Sequence, residues 1–406
     1  MSDIPPEIII DILTRLPVKS LLRFRCVSKS WRSMIDGKDF IKLHLHHSFE
    51  TNSNRTLVVK NNKLFYVDLD SFERLDTGNI RFNSHFLVGS CNGLVLLVST
   101  FDNIVLWNPS TRKLNKLPVT PLPMEFVELY YGLGYDSKHD DYKVVRVSQA
   151  SARVNGGCFF SETMVYSLKS NSWKKIKEFP YALLPSKLWG VYLNDALHTV
   201  VEHNHCSDAI MAFDIGKEEH YEVPKPEFRG RKRSIDAVDV MGGCLTAVVY
   251  GKKNSSEIWV MKEYGVKGSW FKLLCFYPPV PEPCLKLFPL AYSKSGDEVL
   301  LNYDGVCLNW YDLKKKTVTV ACVRGLSASF GATALDMLFY AQVCVASLVS
   351  PYSPAGVEIE KQNARQGKKG DGTKKKSWIQ ASAVKHYYLE MHKEMRWTRM
   401  KFRPER

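Results

Sequence analysis

Side chains able to ligate a metal gather at two places in the sequence: His198, His203, His205 and Cys206, and the tighter group His44, His46 and His47. Imidazole and thiolate are the donors of tetrahedral zinc sites. The first group runs H-x4-H-x-H-C, which is not a zinc pattern, and a polar loop between strands is the simpler reading. The second follows a helical stretch, where a solvated face explains it. Gly132-Leu133-Gly134 has two of the three glycines of a dinucleotide-phosphate turn, but the third is missing and no helix follows. No G-x-S-x-G elbow, H-E-x-x-H pair or compact carboxylate pair is present. The expectation is a protein that does no bond chemistry itself and holds neither metal nor cofactor.

Whatever those residues do, the surrounding elements must place them. The chain has 406 residues, 45% hydrophobic and 12% aromatic, enough for two or three domains with large cores. No run of 18 apolar residues appears and no basic stretch precedes an apolar one at the start, so neither a membrane span nor a signal peptide is expected. Ten cysteines lie scattered with no C-x-x-C spacing and read as small buried hydrophobes of a reducing compartment.

The first forty residues carry the strongest local signals. Pro5 and Pro6 suit a helix entry, with Glu7 in the first turn. Ile8, Ile12 and Leu16 recur at helical spacing with Ile9 and Leu13 beside them, and Pro17 stops the helix. Leu21, Leu22, Phe24 and Val27 supply a second helix. Ser28 caps a third that carries Trp31, Met34 and Ile35 and ends at Gly37, a residue suited to the left-handed position after a helix. Three helices this short do not make an independent core, so a partner is expected to complete them.

In this order, Ile-Pro, then Ile-Leu-x-x-Leu-Pro, then Leu-x-Arg-Phe-Arg-x-Val-x-Lys-x-Trp, the segment resembles an F-box. The resemblance implies a docking module for the Skp-type adaptor of a cullin ubiquitin ligase, and through it for the cullin and RING subunits. By position, the adaptor-facing residues would be Ile4, Pro5, Ile8, Ile12, Leu13, Leu16, Pro17, Leu21, Leu22, Val27 and Trp31.

After the bridge DFIKLHLHHSFETNSNR, short β-type runs replace helical periodicity up to about residue 350. They are 56–60, 63–69, 93–99, 103–108, 143–148, 162–168, 209–214, 245–250, 257–262, 298–303 and 306–313. Six closing halves look alike, among them IVLWNPSTRKLNKLP, MVYSLKSNSWKKIKEFP and IMAFDIGKEEHYEVPKP. Taking Asp68, Asn108, Ser167, Asp214, Met261 and Asp312 as equivalent positions gives repeats of propeller-blade length, with six blades fitting best. A strand over 338–349 is expected to return to the first blade and close the ring. Asn92-Gly93 and Asp304-Gly305 suit tight hairpin turns.

This region resembles the F-box-associated domain of plant F-box proteins, a kelch-related pattern. The resemblance is carried by Ser90-Cys91-Asn92-Gly93-Leu94, Leu106-Trp107-Asn108-Pro109-Ser110-Thr111, Gly132-Leu133-Gly134-Tyr135-Asp136, Asp141-Tyr142-Lys143-Val144-Val145, Ser172-Trp173 and Ser347-Leu348-Val349-Ser350-Pro351. It implies a substrate receptor that bridges the adaptor and an unknown target protein, held by the propeller for ubiquitination. Loops at 120–129, 151–158, 202–207 and 228–234 are candidates for the target-binding face. The expected fold is an α+β multidomain chain: a three-helix F-box over 1–45, a linker and first strand over 46–62, an all-β propeller-like domain over 63–351, and a tail over 352–406.

The net charge of +14 is uneven, since residues from Ala355 onward hold fourteen basic and six acidic side chains. The tail reads as disordered through 354–377, with Ile379, Ala383, Tyr387, Met391 and Met395 at steps of four beyond it. Its lysines and the run Arg229-Gly-Arg231-Lys232-Arg233 support one rival from another class, a nucleic-acid-binding or nuclear scaffold protein. Read as import signals instead, they fit a protein of cytoplasm and nucleus.

Overall fold

A computed structural model describes residues 4–60, 64–75, 85–99, 103–120, 128–151, 159–183, 189–203, 207–228, 233–250, 255–277, 287–303, 307–321 and 340–353. Four helices open the chain: α1 (Pro6–Thr14), α2 (Val18–Phe24), α3 (Lys29–Ile35) and α4 (Lys38–Glu50). Ser28 caps α3 as expected, its Oγ accepting from the Trp31 amide at 3.1 Å. Gly37, expected to be left-handed, has instead φ −71° and serves as N-cap of α4. A Cβ there would lie 3.0 Å from the Met34 carbonyl, so the short α3–α4 corner needs glycine for room.

The fourth helix corrects the expected three-helix unit and the expected linker from residue 46. Its sequence KDFIKLHLHHSFE buries Phe40, His44, Leu45 and Ser48 on one side. That stripe packs on the other helices and on the β domain together.

Six four-stranded antiparallel sheets follow. The first contains β1 (Arg55–Lys60), β2 (Leu64–Asp68) and β3 (Arg74–Leu75). The second is β4 (Phe86–Cys91), β5 (Leu94–Val98), β6 (Ile104–Asn108) and β7 (Lys113–Lys116), and the third β8 (Glu128–Asp136), β9 (Asp141–Ser151), β10 (Phe159–Ser167) and β11 (Ser172–Ile176). The fourth is β12 (Trp189–Leu193), β13 (Ala196–His203), β14 (Ser207–Asp214) and β15 (Glu219–Val223). The fifth is β16 (Ile235–Met241), β17 (Cys244–Tyr250), β18 (Ser256–Met261) and β19 (Trp270–Phe276), and the sixth β20 (Leu287–Tyr292), β21 (Glu298–Tyr303), β22 (Cys307–Asp312) and β23 (Val318–Val320). Finally β24 (Tyr340–Val345) pairs with β1, from Arg55 opposite Val345 to Lys60 opposite Tyr340, and completes the first sheet. The strands β24, β4, β8, β12, β16 and β20 neighbour one another in that order, which makes them the inner ring of a six-blade propeller.

The six positions aligned in the sequence all fall at the end of the third strand of a blade. Their side chains shape the turn into the outer strand. Asp214 Oδ1 accepts from the Gly216 and Lys217 amides at 3.0 and 2.8 Å, and Asp312 Oδ1 from those of Lys314 and Lys315 at 2.9 and 2.8 Å. Asp68, Asn108 and Ser167 do the same in their blades. Each forms a side-chain turn that replaces a backbone bond. At Met261 the thioether sulfur stands in, facing the Gly265 amide at 3.1 Å.

Blade junctions explain the repeated ending before proline. Leu117, Phe179 and Val223, each one residue before Pro118, Pro180 or Pro224, are buried between blades. The indole of Trp173 then donates to the Pro118 carbonyl at 2.9 Å, and that of Trp270 to the Pro224 carbonyl at 2.7 Å, each tying an outer strand to the blade before it. Gly132 lies in an inner strand where a Cβ on Gly190 would come within 2.5 Å of its Cα. Close approach of two inner strands accounts for the glycine there.

Candidate adaptor-docking face and the opposite face of the propeller

Leu13, Val18, Leu21, Ile35, Phe40 and Leu348 form the buried core of the helical unit, with Leu16, Leu22, Phe24, Trp31 and Met34 half-buried around it. Two residues expected on the docking surface are therefore misplaced by the sequence reading: Leu13 is 1% exposed and Leu21 0%. They lie on the inner side of their helices, one position away from residues that point outward. What the unit shows to solvent is Ile4 at 60%, Ile8 at 50%, Ile12 at 51% and Val27 at 61%, with Pro5 and Pro17 also exposed. Leu16, Leu22 and Trp31 are half-buried.

Ile8 and Ile12 lie one turn apart on the outer side of α1, and Ile4 precedes the helix by two residues. Three exposed isoleucines so close together leave apolar area in water that contact with another apolar surface would remove. The charges around it are mutually engaged. Arg15 forks onto Asp11 at 2.9 Å, and Arg25 meets Asp36 at 2.7 Å.

The helical unit is joined to the propeller by α4 and by residues 346–351. Neutral His44 is buried in α4 beneath the end of α1, its Nε2 donating to the Leu16 carbonyl at 2.9 Å, and burial holds its pKa below the usual value. Lys42 pairs with Asp140 in the β8–β9 turn at 2.9 Å, and Tyr135 donates to the same carboxylate at 2.6 Å. The solvated face expected of His44, His46 and His47 holds only in part: His44 faces inward to Leu16, while exposed His46 lies 3.4 Å from Glu50 and His47 is half-buried.

Residues 346–351 run as a strap between the two units. The Ala346 amide donates to the Asn54 carbonyl at 2.7 Å, and the Ser347 hydroxyl to the Asn92 carbonyl at 2.8 Å. Asn108 Nδ2 donates to the carbonyls of Ser347 and Val349 at 3.1 and 2.7 Å, and Asn115 Nδ2 to that of Pro351 at 2.9 Å. Asn92 and Gly93 have φ of 51° and 85° in the tight turn that receives Ser347, and a Cβ on Gly93 would sit 2.1 Å from the Ser347 hydroxyl. Alternation does the rest: Leu348 enters the helical core while Val349 enters the propeller core beside Leu45.

The turns contacted by α4 and the strap belong to one end of the propeller. Hairpins between first and second strands in blades two to six, and turns between third and fourth strands in all six, emerge there by the alternation of an antiparallel sheet. Second-to-third connections and the passages between blades emerge at the opposite end. The strand ends that flank the four loops named from the sequence as target-binding candidates lie at that opposite end; residues 121–127, 152–158, 204–206 and 229–232 of those loops lie outside the described residues.

His198, the first member of the other candidate metal group, is a core residue of blade four. Its Nδ1 lies 3.2 Å from the Val191 carbonyl and its Nε2 2.6 Å from the Tyr264 hydroxyl, which also meets the Tyr221 hydroxyl at 2.7 Å. A single tautomer satisfies this chain, with Nδ1–H donating to the carbonyl and Nε2 accepting from Tyr264. His203 lies in β13, while His205 and Cys206 are outside the described residues. Among the described residues no group of three or more His, Cys, Asp or Glu is placed to hold a metal ion. Burial pushes His198 down to about 4. Its neutral form is favoured by folding, so its contribution is complete above the unfolded value near 6.5 and is lost as pH falls toward 4. The expected loss is about 3 kcal/mol at pH 4. Melting curves from pH 7 to pH 4 check this, and His198→Gln should flatten the slope.

The fold, its docking helices and its closing strand together define a class, a four-helix unit on a six-blade propeller. An F-box domain matches residues 1–43 and an F-box associated beta propeller domain matches residues 43–351, so the chain belongs to the family of F-box proteins with an associated propeller. It is 33% identical over 360 residues to F-box protein CPR1 of Arabidopsis thaliana, covering 82% of this chain and 87% of that one. It is 32% identical over 292 residues to F-box/kelch-repeat protein At3g23880 of the same plant, covering 67% and 79%. The fold expected from the sequence is thus present, with one helix more. No helix among the described residues is long and apolar enough to cross a membrane.

Proposed function

We propose that this chain is the substrate-receptor subunit of a cullin-type ubiquitin ligase, non-catalytic itself, joining a Skp-type adaptor to a target protein. The observation that carries the reading is the exposed stripe of Ile4, Ile8 and Ile12 with Val27 on a family-defined F-box unit. These apolar side chains would bury in a groove of the adaptor, in the manner of a helix presented to a hydrophobic surface. The target would be held at the propeller end away from the helices. Fixing it there raises the effective concentration of its lysines near a ubiquitin-charged enzyme without any bond chemistry by the receptor.

Of the basic residues behind the nucleic-acid reading, Arg233 is the one among the described residues, and it pairs with buried Glu257 at 2.9 Å; Arg229, Arg231, Lys232 and the tail lie outside the described residues.

The test is a titration of the adaptor with the double variant Ile8→Asp plus Ile12→Asp. Both sites are half-exposed or more, so the chain should keep its melting temperature while adaptor affinity falls by at least ~100-fold, as for two central hot-spot residues. Affinity equal to wild type would overturn the proposal. Charges at Leu21 would not serve, since they would enter the buried core.

A further inference from the structure

We infer that Leu348 is a positioning residue for adaptor docking: the strap 346–351, far along the chain from the F-box, supplies a core side chain on which the docking helices settle. The inference rests on the reading of the helical unit as the adaptor-binding module.

Leu348 is 9% exposed and packs in one cluster with Leu13, Val18, Leu21, Ile35 and Phe40. Leu13 lies on the inner side of α1, whose outer side carries Ile8 and Ile12, and Val18 and Leu21 are the buried residues of α2, which the turn holding exposed Val27 follows. A short helix with too small a core is held by tertiary packing rather than by its own propensity. Removing the strap side chain therefore acts on the docking surface from beneath, without touching it. The strap is in turn held by the propeller through Asn92, Asn108 and Asn115, all in blade two. Leu348 thus makes docking competence depend on a correctly built second blade, and the coupling runs both ways, since anything that orders the docking helices also orders the strap.

Two measurements on the full chain test this. In the first, Leu348→Ala should lower adaptor affinity at least ~10-fold and Leu348→Met should restore it to within ~2-fold, while exchange of amides in β5 and β6 stays slow in all three proteins. Unchanged affinity in Leu348→Ala would overturn the inference. In the second, adaptor binding to the wild-type chain should slow amide exchange at Ala346 and Val349, on the side of the helices away from the exposed isoleucines. No change there would also overturn it. If the wild-type chain fails to bind the adaptor, the proposed function falls, and faster exchange across α1–α3 in Leu348→Ala still decides whether Leu348 positions the helices.

Discussion

Trp107→Ala is expected to cost about 3–5 kcal/mol, the range for removing a fully buried indole from a core that cannot collapse to fill the space. Trp107 is 0% exposed at the junction of the first two blades, among Val58, Tyr66, Val95, Leu97, Val105 and Cys344. Tyr66 meets it edge-on, with ring centroids 6.4 Å apart. These neighbours come from β1, β2, β5, β6 and β24, so the cavity would open where the last strand closes the ring. Urea unfolding followed by tryptophan-independent circular dichroism checks the loss. Leu114→Ala on outer strand β7, where the side chain is 39% exposed, should stay within about 0.5 kcal/mol. Equal midpoints for the two variants would show that the junction does not limit stability.

The second large effect is expected from Asn108→Asp. In three other blades the equivalent position is aspartate, at Asp68, Asp214 and Asp312, and only an acceptor is needed for the turn. Blade two needs a donor as well, because Asn108 Nδ2 also serves the carbonyls of Ser347 and Val349. The substitution keeps the acceptor and replaces the donor with a carboxylate facing two carbonyls at a site that is 0% exposed. Two buried carbonyls lose their partner and a charge is left without compensation, at a cost of about 3–5 kcal/mol. Asp312→Asn, which keeps its acceptor on an exposed turn, should leave the midpoint near wild type. Thermal melts of the pair, with amide exchange of the strap, separate the two functions of Asn108.

The sequence made some elements legible and hid others for physical reasons. Of the strands read from it, all but the closing strand β24 correspond to a second or third strand of a blade. Those are covered on both sides and appear as dense apolar runs, such as LVLLV in β5 and IVLWN in β6, each buried throughout. The other five inner strands went unread because their alternation is broken. Register shifts interrupt β4, β12, β16 and β20 near their starts, and β8 carries Gly132 and Gly134 where neighbouring chain comes close. The outer strands went unread because solvent covers much of them, as in the exposed Val-Thr-Val of β23. The aligned turn residues nevertheless set the blade count, since each is a local device repeated once per blade.

The docking module was legible as a motif but not as a surface. A run such as Ile12-Leu13 or Leu21-Leu22 names two apolar residues without saying which faces inward, and packing assigns Leu13 and Leu21 to the core. Helix α4 was hidden by its three histidines, which read as a polar bridge until His44 turns inward to Leu16. The strap was visible as Ser-Leu-Val-Ser-Pro, and its alternation was the available signal. What the alternation could not reveal was that its two sides lie against different domains.

The pairing of β24 with β1 has a consequence in time. A ribosome delivers the four helices, β1 and its first partner β2 early, and the second partner of β1 only after some 280 further residues have followed, from Lys60 to Tyr340. At typical synthesis rates that interval is tens of seconds. Throughout it β1 has a bare edge, and the nascent propeller is an open arc with a row of unmet amides. Messages cut short before β24 would yield chains held permanently in that state, sticky along one strand and suited to capture by chaperones rather than to service in a ligase.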